Sequence, residues 1–186
     1  MNDCEVLVDL LTGFAEATRR AVGPMTEAEL AWQPDPEANG VGVTVWHVAR
    51  WLDVLAVQIL DTKPAEAELW HVDGWTGRTG YDPRGIGEMG LGVITGYTLE
   101  EAAAVPIMPA TDLLRYFDST VAALSAKLLS LSSEELHGPV FGIGGPGTNY
   151  ESVKNILSGV LGHLGEIKAI NAQRKRREAA ARVAAD

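Results

Sequence analysis

Two histidines sit where helical apolar patterns run, and their surroundings suggest chemistry. His47 lies in Trp46-His47-Val48-Ala49-Arg50-Trp51-Leu52-Asp53, and His163 opens His163-Leu164-Gly165-Glu166 far downstream. The chain has only four histidines. An imidazole within a helix core is usually hydrogen-bonded to a neighbour or bound to a metal. His163 and Glu166 are three apart, so they share a helix face. On the other segment, Arg50 and Asp53 follow His47 by three and six residues. If the two helices pack together, His47 and His163 meet. Two imidazoles with a carboxylate such as Glu166 suit Zn, Ni, Fe or Mn and leave positions open for water or substrate. The bland alternative is two satisfied core or surface histidines, because no complete ligand motif is present.

Other candidates are weaker. His71 precedes Val72-Asp73-Gly74-Trp75 at the mouth of a long loop. It either lines a pocket or, as loop histidines more often are, is exposed. His137 follows a turn signal and reads as a surface residue. Cys4 has no nearby histidine in sequence and little support as a nucleophile. Gly142-Ile143-Gly144-Gly145-Pro146-Gly147 has no lysine and follows no strand pattern, so it is not a phosphate loop. The five tryptophans, Trp32, Trp46, Trp51, Trp70 and Trp75, cluster in one third of the chain. They either wall a pocket or pack a core. The pocket-lining candidates are Trp46, Arg50, Asp53, His71 and Trp75.

Four long amphipathic segments must position these residues. Val6, Leu7, Leu10, Leu11, Phe14 and Ala17 recur at helical spacing, and Gly23-Pro24 ends that helix. A second helix is predicted from about Val43 to Asp61. A third starts near Thr111, with Leu113, Leu114, Phe117, Val121, Leu124, Leu128 and Leu131 on one face. The fourth runs from about Tyr150 to beyond Ala172, with Val153, Ile156, Leu157, Val160, Leu164, Ile167 and Ile170 inward. Capping boxes at Thr26/Glu29, Thr98/Glu101 and Ser132/Glu135 begin short turns of helix. Residues 72–97 are rich in glycine and lack periodicity, as binding loops and lids often do. Gly138 to Gly147 reads as a second loop. The pattern predicts an all-α four-helix bundle with a long glycine-rich loop between helices two and three.

Composition narrows the function classes. The 186 residues suit a single domain over 1–186, with about 173–186 as a basic, Ala-rich helix end or tail. A net charge of −10 argues against nucleic acid as a partner. The basic run Arg174-Lys175-Arg176-Arg177 is expected at a helix C-terminus, where cations complement the dipole. One cysteine, Cys4, excludes an internal disulfide framework, and a cytoplasmic location follows as the default. No apolar run is expected to span a membrane, and no signal peptide is read at the start.

The ordered motifs resemble the DinB/YfiT-like family of metal-dependent hydrolases and thiol transferases. Leu30-Ala31-Trp32-Gln33-Pro34 with Asn39 looks like its segment before helix two. Val45 to Asp53 is similar to its helix-two signature in the branch with a Trp-His pair. Trp70-His71-Val72-Asp73-Gly74-Trp75 is similar to its Trp-x-x-Asp-Gly-Trp element, and His163-Leu164-Gly165-Glu166-Ile167 to the close of helix four. The resemblance implies a DinB-like four-helix bundle, commonly dimeric, with three histidines around a divalent metal. One comes from helix two and two come from helix four, four residues apart. It also implies, for some members, low-molecular-weight thiol cosubstrates such as mycothiol or bacillithiol. DNA binding is not implied. His47 and His163 match two of the ligands. The position of the third is Gly159, which has no donor, so Glu166 or Asp53 completes a weaker site or the metal has been lost. Two functions follow: a divalent-metal-dependent enzyme of the thiol-transferase or hydrolase type, or a small-molecule-binding protein without catalysis.

Overall fold

A computed structural model describes residues 2–142 and 145–184. In chain order its elements are α1 (Asp3–Val22), α2 (Glu27–Ala31), α3 (Val41–Val54), α4 (Leu69–Val72), α5 (Trp75–Thr79), α6 (Leu99–Ala103), α7 (Ala110–Ser130) and α8 (Ser133–His137), followed by β1 (Pro139–Gly142), β2 (Gly145–Thr148) and α9 (Asn149–Val183). A π-helical turn, Leu55–Leu60, prolongs α3.

The long helices α1, α3, α7 and α9 form the bundle. Both α1 and α3 pack against α7 and α9. Their apolar faces meet in one core that includes Leu11, Phe14, Trp46, Leu52, Phe117, Leu124, Val160 and Ile167. Phe14 and Phe117 meet edge to face at 6.0 Å, the geometry the ring quadrupole favours. Helix starts are fixed locally. Asn2, Thr26, Thr98, Ser132 and Thr148 each accept a backbone N–H, while the glutamate three residues on bonds back to the cap. These reciprocal bonds satisfy donors that the first turn leaves unpaired.

Four sequence expectations change. The second helix starts at Val41 and ends, through the π turn, at Leu60. That stretch, Val41–Leu60, is long and apolar enough to cross a membrane by length and composition, contrary to expectation. Most of it is buried within the bundle. The stretch Gly138 to Gly147 was expected as loop, but within it and at Thr148 β1 and β2 pair antiparallel, with Pro139 opposite Thr148 and Val140 opposite Gly147. Of the glycine run read there, Ile143 and Gly144 lie outside the described residues.

The basic run is the fourth change. It does not end its helix, because α9 continues to Val183. The Arg174–Glu178 pair and Ala179-Ala180-Ala181 favour continuation. Arg174 is buried instead. It binds Glu29 of α2 at 2.6 Å and Glu178 at 2.5 Å. Arg177 lies over the Trp32 ring at 5.6 Å. These cations fasten α9 to the segment around α2.

The glycine-rich segment after α4 is built of short helices and tight turns. Gly92 has φ +64, and a Cβ there would meet the Pro83 carbonyl oxygen at 2.4 Å. Only glycine fits that turn. The side chains of Leu91 and Val93, on either side, pack with Val54 of α3 in a small separate apolar cluster. The segment is thereby strapped along α3.

Candidate functional site

His47 is on α3 and His163 on α9, and the packing of these helices brings them together. Their Nε2 atoms are 3.2 Å apart, and the rings meet edge to face at 4.7 Å. Each ring is anchored through its other nitrogen. His47 Nδ1 forms a short hydrogen bond to the Val93 carbonyl. His163 Nδ1 lies 2.6 Å from Glu166 Oε2.

The anchors determine the tautomers. A backbone carbonyl only accepts, so His47 Nδ1 carries the hydrogen. The Glu166 carboxyl is held below its ordinary pKa by its hydrogen bond to His163, despite partial burial. Ionised, it too only accepts, so His163 Nδ1 carries the hydrogen. Burial, reinforced by the adjacent His163, lowers the pKa of His47 to about 4. His47 is therefore neutral at pH 7. The His47 Nε2 lone pair then faces His163 Nε2 at 3.2 Å, and a cation shared by the two rings fits that arrangement.

Two imidazole nitrogens on one divalent metal lie about 3.0–3.4 Å apart, given metal–nitrogen bonds of about 2.0–2.1 Å. The observed pair fits that spacing. Ligating histidines also usually donate their second nitrogen to a carboxylate or a backbone carbonyl, as both do here. A full donor set is not present: among the described residues, no group of three His, Cys, Asp or Glu side chains is arranged to hold a metal. Gly159, one turn before His163, offers no donor, and the place of its missing Cβ is open to 4 Å. Glu166, expected as a ligand, is placed on the back nitrogen of His163, away from the Nε2 pair. His163 and Glu166 remain partly exposed, so solvent reaches this side of the pair.

Asp53, the other carboxylate considered, is committed elsewhere. It accepts the backbone N–H groups of Leu69 and Trp70 at 2.9 and 3.0 Å and the Tyr116 hydroxyl at 2.9 Å. Burial raises its pKa, against the opposing pull of Arg50. Arg50 is 1 % exposed. Its guanidinium donates to Glu68 at 2.7 Å, to Gly92 and Leu91 carbonyls at 3.1 and 3.2 Å, and to Tyr116 at 3.4 Å, and it pairs with Asp53 at 3.5 Å. Burial alone would lower its pKa, but Tyr116, Glu68 and Asp53 outweigh that and raise it. Gln58, carried by the π turn, makes a short hydrogen bond to the second Glu68 oxygen.

The remaining pocket-lining candidates also lie inside the fold. Trp46 and Trp75 are core residues that pack with Trp70, Tyr81 and Tyr116. No solvent-facing wall is formed by Trp46, Trp75, Arg50 or Asp53. His71 was expected on an exposed loop. It belongs to α4, with its ring held between Thr76 Oγ1 at 2.9 Å and Glu68 at 3.7 Å, and burial lowers its pKa. His137 is exposed and pairs with Asp3 at 2.9 Å. Burial beside Asp3 and Glu5 raises the pKa of Cys4, which suits a structural thiol.

Sequence reasoning missed Glu68, Tyr116, Gln58 and the Val93 carbonyl. Tyr116 falls three residues after Leu113 on the buried face of α7, and that spacing could have found it. Glu68, in the run Ala65-Glu66-Ala67-Glu68, looks like a solvated residue.

Comparison with known proteins bears on the fold and the family. A structure described as a conserved protein from Enterococcus faecalis superposes with a TM-score of 0.78 at 23% identity, covering 93% of this chain and 97% of that one. A DinB-like protein from Bacillus cereus superposes at 0.60 with 15% identity, covering 92% of each chain. At such identities the likeness concerns the fold alone. No curated protein matches the sequence. The family model described as the DinB superfamily matches residues 10–166. Most of the chain is thus accounted for by one family pattern, and the protein belongs to the DinB superfamily.

Proposed function

We propose that this protein is an enzyme dependent on a divalent transition metal (Zn, Ni, Fe or Mn) held by His47 and His163. The observation that carries this reading is the pair of Nε2 atoms 3.2 Å apart, each ring anchored through its opposite nitrogen. A bound metal would lower the pKa of a coordinated water or thiol and make it nucleophilic at neutral pH. The chain's own residues do the positioning. Val93 and Glu166 hold the two Nδ1 hydrogens away from the shared site, and Glu166 fixes the orientation of the His163 ring. The open space at Gly159 leaves room for a small molecule beside the pair. The substrate we propose is small, with hydrolysis or transfer from a low-molecular-weight thiol as the reaction type. A homodimer in the cytoplasm is the setting proposed with it, without nucleic acid or membrane as a partner.

One observation favours a second reading. Gly159 stands where a third donor would complete the site, and Glu166 is engaged elsewhere. A DinB-fold protein that binds a small molecule without catalysis fits those two facts.

Elemental mass spectrometry on tag-free protein separates the readings. About one equivalent of metal in wild type, absent from His47→Ala and His163→Ala, supports the metal site. Folded wild type that takes up none of the four ions rejects it and leaves the binding reading.

A further inference from the structure

Three successive backbone carbonyls, of Leu91, Gly92 and Val93, accept hydrogen bonds from two side chains one turn apart on α3. Arg50 donates to Leu91 and Gly92, and His47 donates to Val93. The strap is held by packing between these contacts. Leu91 and Val93 are packed against Val54, and Gly92 is confined by its positive φ and by Pro83. Arg50 is itself immobilised by Glu68, Asp53 and Tyr116. A guanidinium presents its donors in a rigid fork, so fixing it at one edge fixes whatever its other edge holds.

We propose that Arg50 is a positioning residue for His47: by pinning the strap at Leu91 and Gly92, it places the Val93 carbonyl where it holds His47 with Nε2 directed at His163. Arg50 is remote from any reacting group in this scheme and acts through the strap. His163 has a separate anchor, Glu166, which the strap does not touch. The two histidines therefore respond differently when the strap is disturbed. The part of this proposal that concerns metal affinity rests on the metal reading above; the part that concerns the His47 tautomer does not.

The test uses the full chain with ¹⁵N-labelled histidine. Long-range nitrogen–proton spectra report the tautomer of each ring, and calorimetric titration with Zn²⁺ alone reports affinity. Arg50→Lys keeps a charge between Asp53 and Glu68 but cannot reach two carbonyls and both carboxylates at once. Gly92→Ala shifts the strap while leaving Arg50 and its side-chain partners Glu68, Asp53 and Tyr116 unchanged in sequence, and it serves if Arg50→Lys does not fold. The expected result is loss of the pure Nδ1–H tautomer at His47, an unchanged His163, and Zn²⁺ affinity about tenfold weaker or more, the lower end of what orienting partners of metal ligands contribute. An unchanged His47 in folded Gly92→Ala would overturn the proposal. So would equal disturbance of both histidines, since that is what a merely structural role produces. Wild type that binds no Zn²⁺, with a His47-specific tautomer change in the variants, would reject the metal reading and still support the strap.

Discussion

Gly159 lies one helical turn before His163 on the same side of α9, and nothing within 4 Å occupies the place of its missing side chain. At this exposed position on α9 a side chain would meet no obstruction at its Cβ, and glycine supplies no donor. Gly159→His is expected to tighten Zn²⁺ binding, since catalytic zinc sites commonly use three protein ligands. It should also stabilise the helix slightly, by roughly 0.3–0.5 kcal/mol, from the gap between glycine and histidine in helix propensity. Calorimetric titration of wild type and variant checks the first expectation, and thermal melts check the second. An affinity equal to wild type would mean that the pair and Gly159 do not face a common point.

Glu166 meets the site on the Nδ1 side of His163. Glu166→Gln keeps an acceptor at that position but removes the charge that orients and polarises the ring. Zn²⁺ affinity should fall by about 10–100-fold. Unfolding stability should barely move, because the carboxylate is well exposed. A large fall in melting temperature, with affinity retained, would assign Glu166 to the fold and not to the site.

Acid should destabilise the protein through His47. In the unfolded chain this side chain takes up a proton near pH 6.5, whereas in the fold burial defers that to about 4. Between those values the unfolded state binds more protons, so stability falls as pH drops from 6.5 toward 4. The loss attributable to this residue is at most about 3–4 kcal/mol. His47→Gln cannot titrate, and its urea-unfolding stability should fall less than that of wild type between about pH 7 and about pH 5. Parallel pH profiles would contradict the depressed pKa.

Removing Arg50 outright is predicted to be costly. Arg50→Met leaves Asp53 and Glu68 buried without their counterion, a defect worth about 3–5 kcal/mol. Chemical denaturation measures it directly. A loss below about 1 kcal/mol would show that water or protonation readily replaces the guanidinium.

The helices and their starts were largely legible in the chain. Thr26 with Glu29, Thr98 with Glu101 and Ser132 with Glu135 all cap as the spacing predicts, because these bonds are local. The meeting of His47 and His163 was legible as a condition on two apolar stripes. The Val93 anchor was not, since a backbone carbonyl leaves no mark in residue type. The commitment of Arg50 and Asp53 to the interior was hidden for a similar reason: Glu68 and Tyr116, which satisfy them, come from distant segments. The pairing of β1 with β2 escaped because these Gly- and Pro-rich strands lack alternating apolar residues.

Segment Val41–Leu60 emerges during synthesis before the helices that cover it, since α7 and α9 both lie later in the chain. For that interval a nascent polypeptide presents twenty consecutive residues that insertion machinery can read as a membrane anchor. Arg50 and Asp53 fall at the centre of the stretch. Each charge at such a depth costs about 2.5–3.5 kcal/mol in bilayer insertion. The pair that organises the finished interior is therefore also what disfavours the segment as a membrane span while the ribosome is still at work.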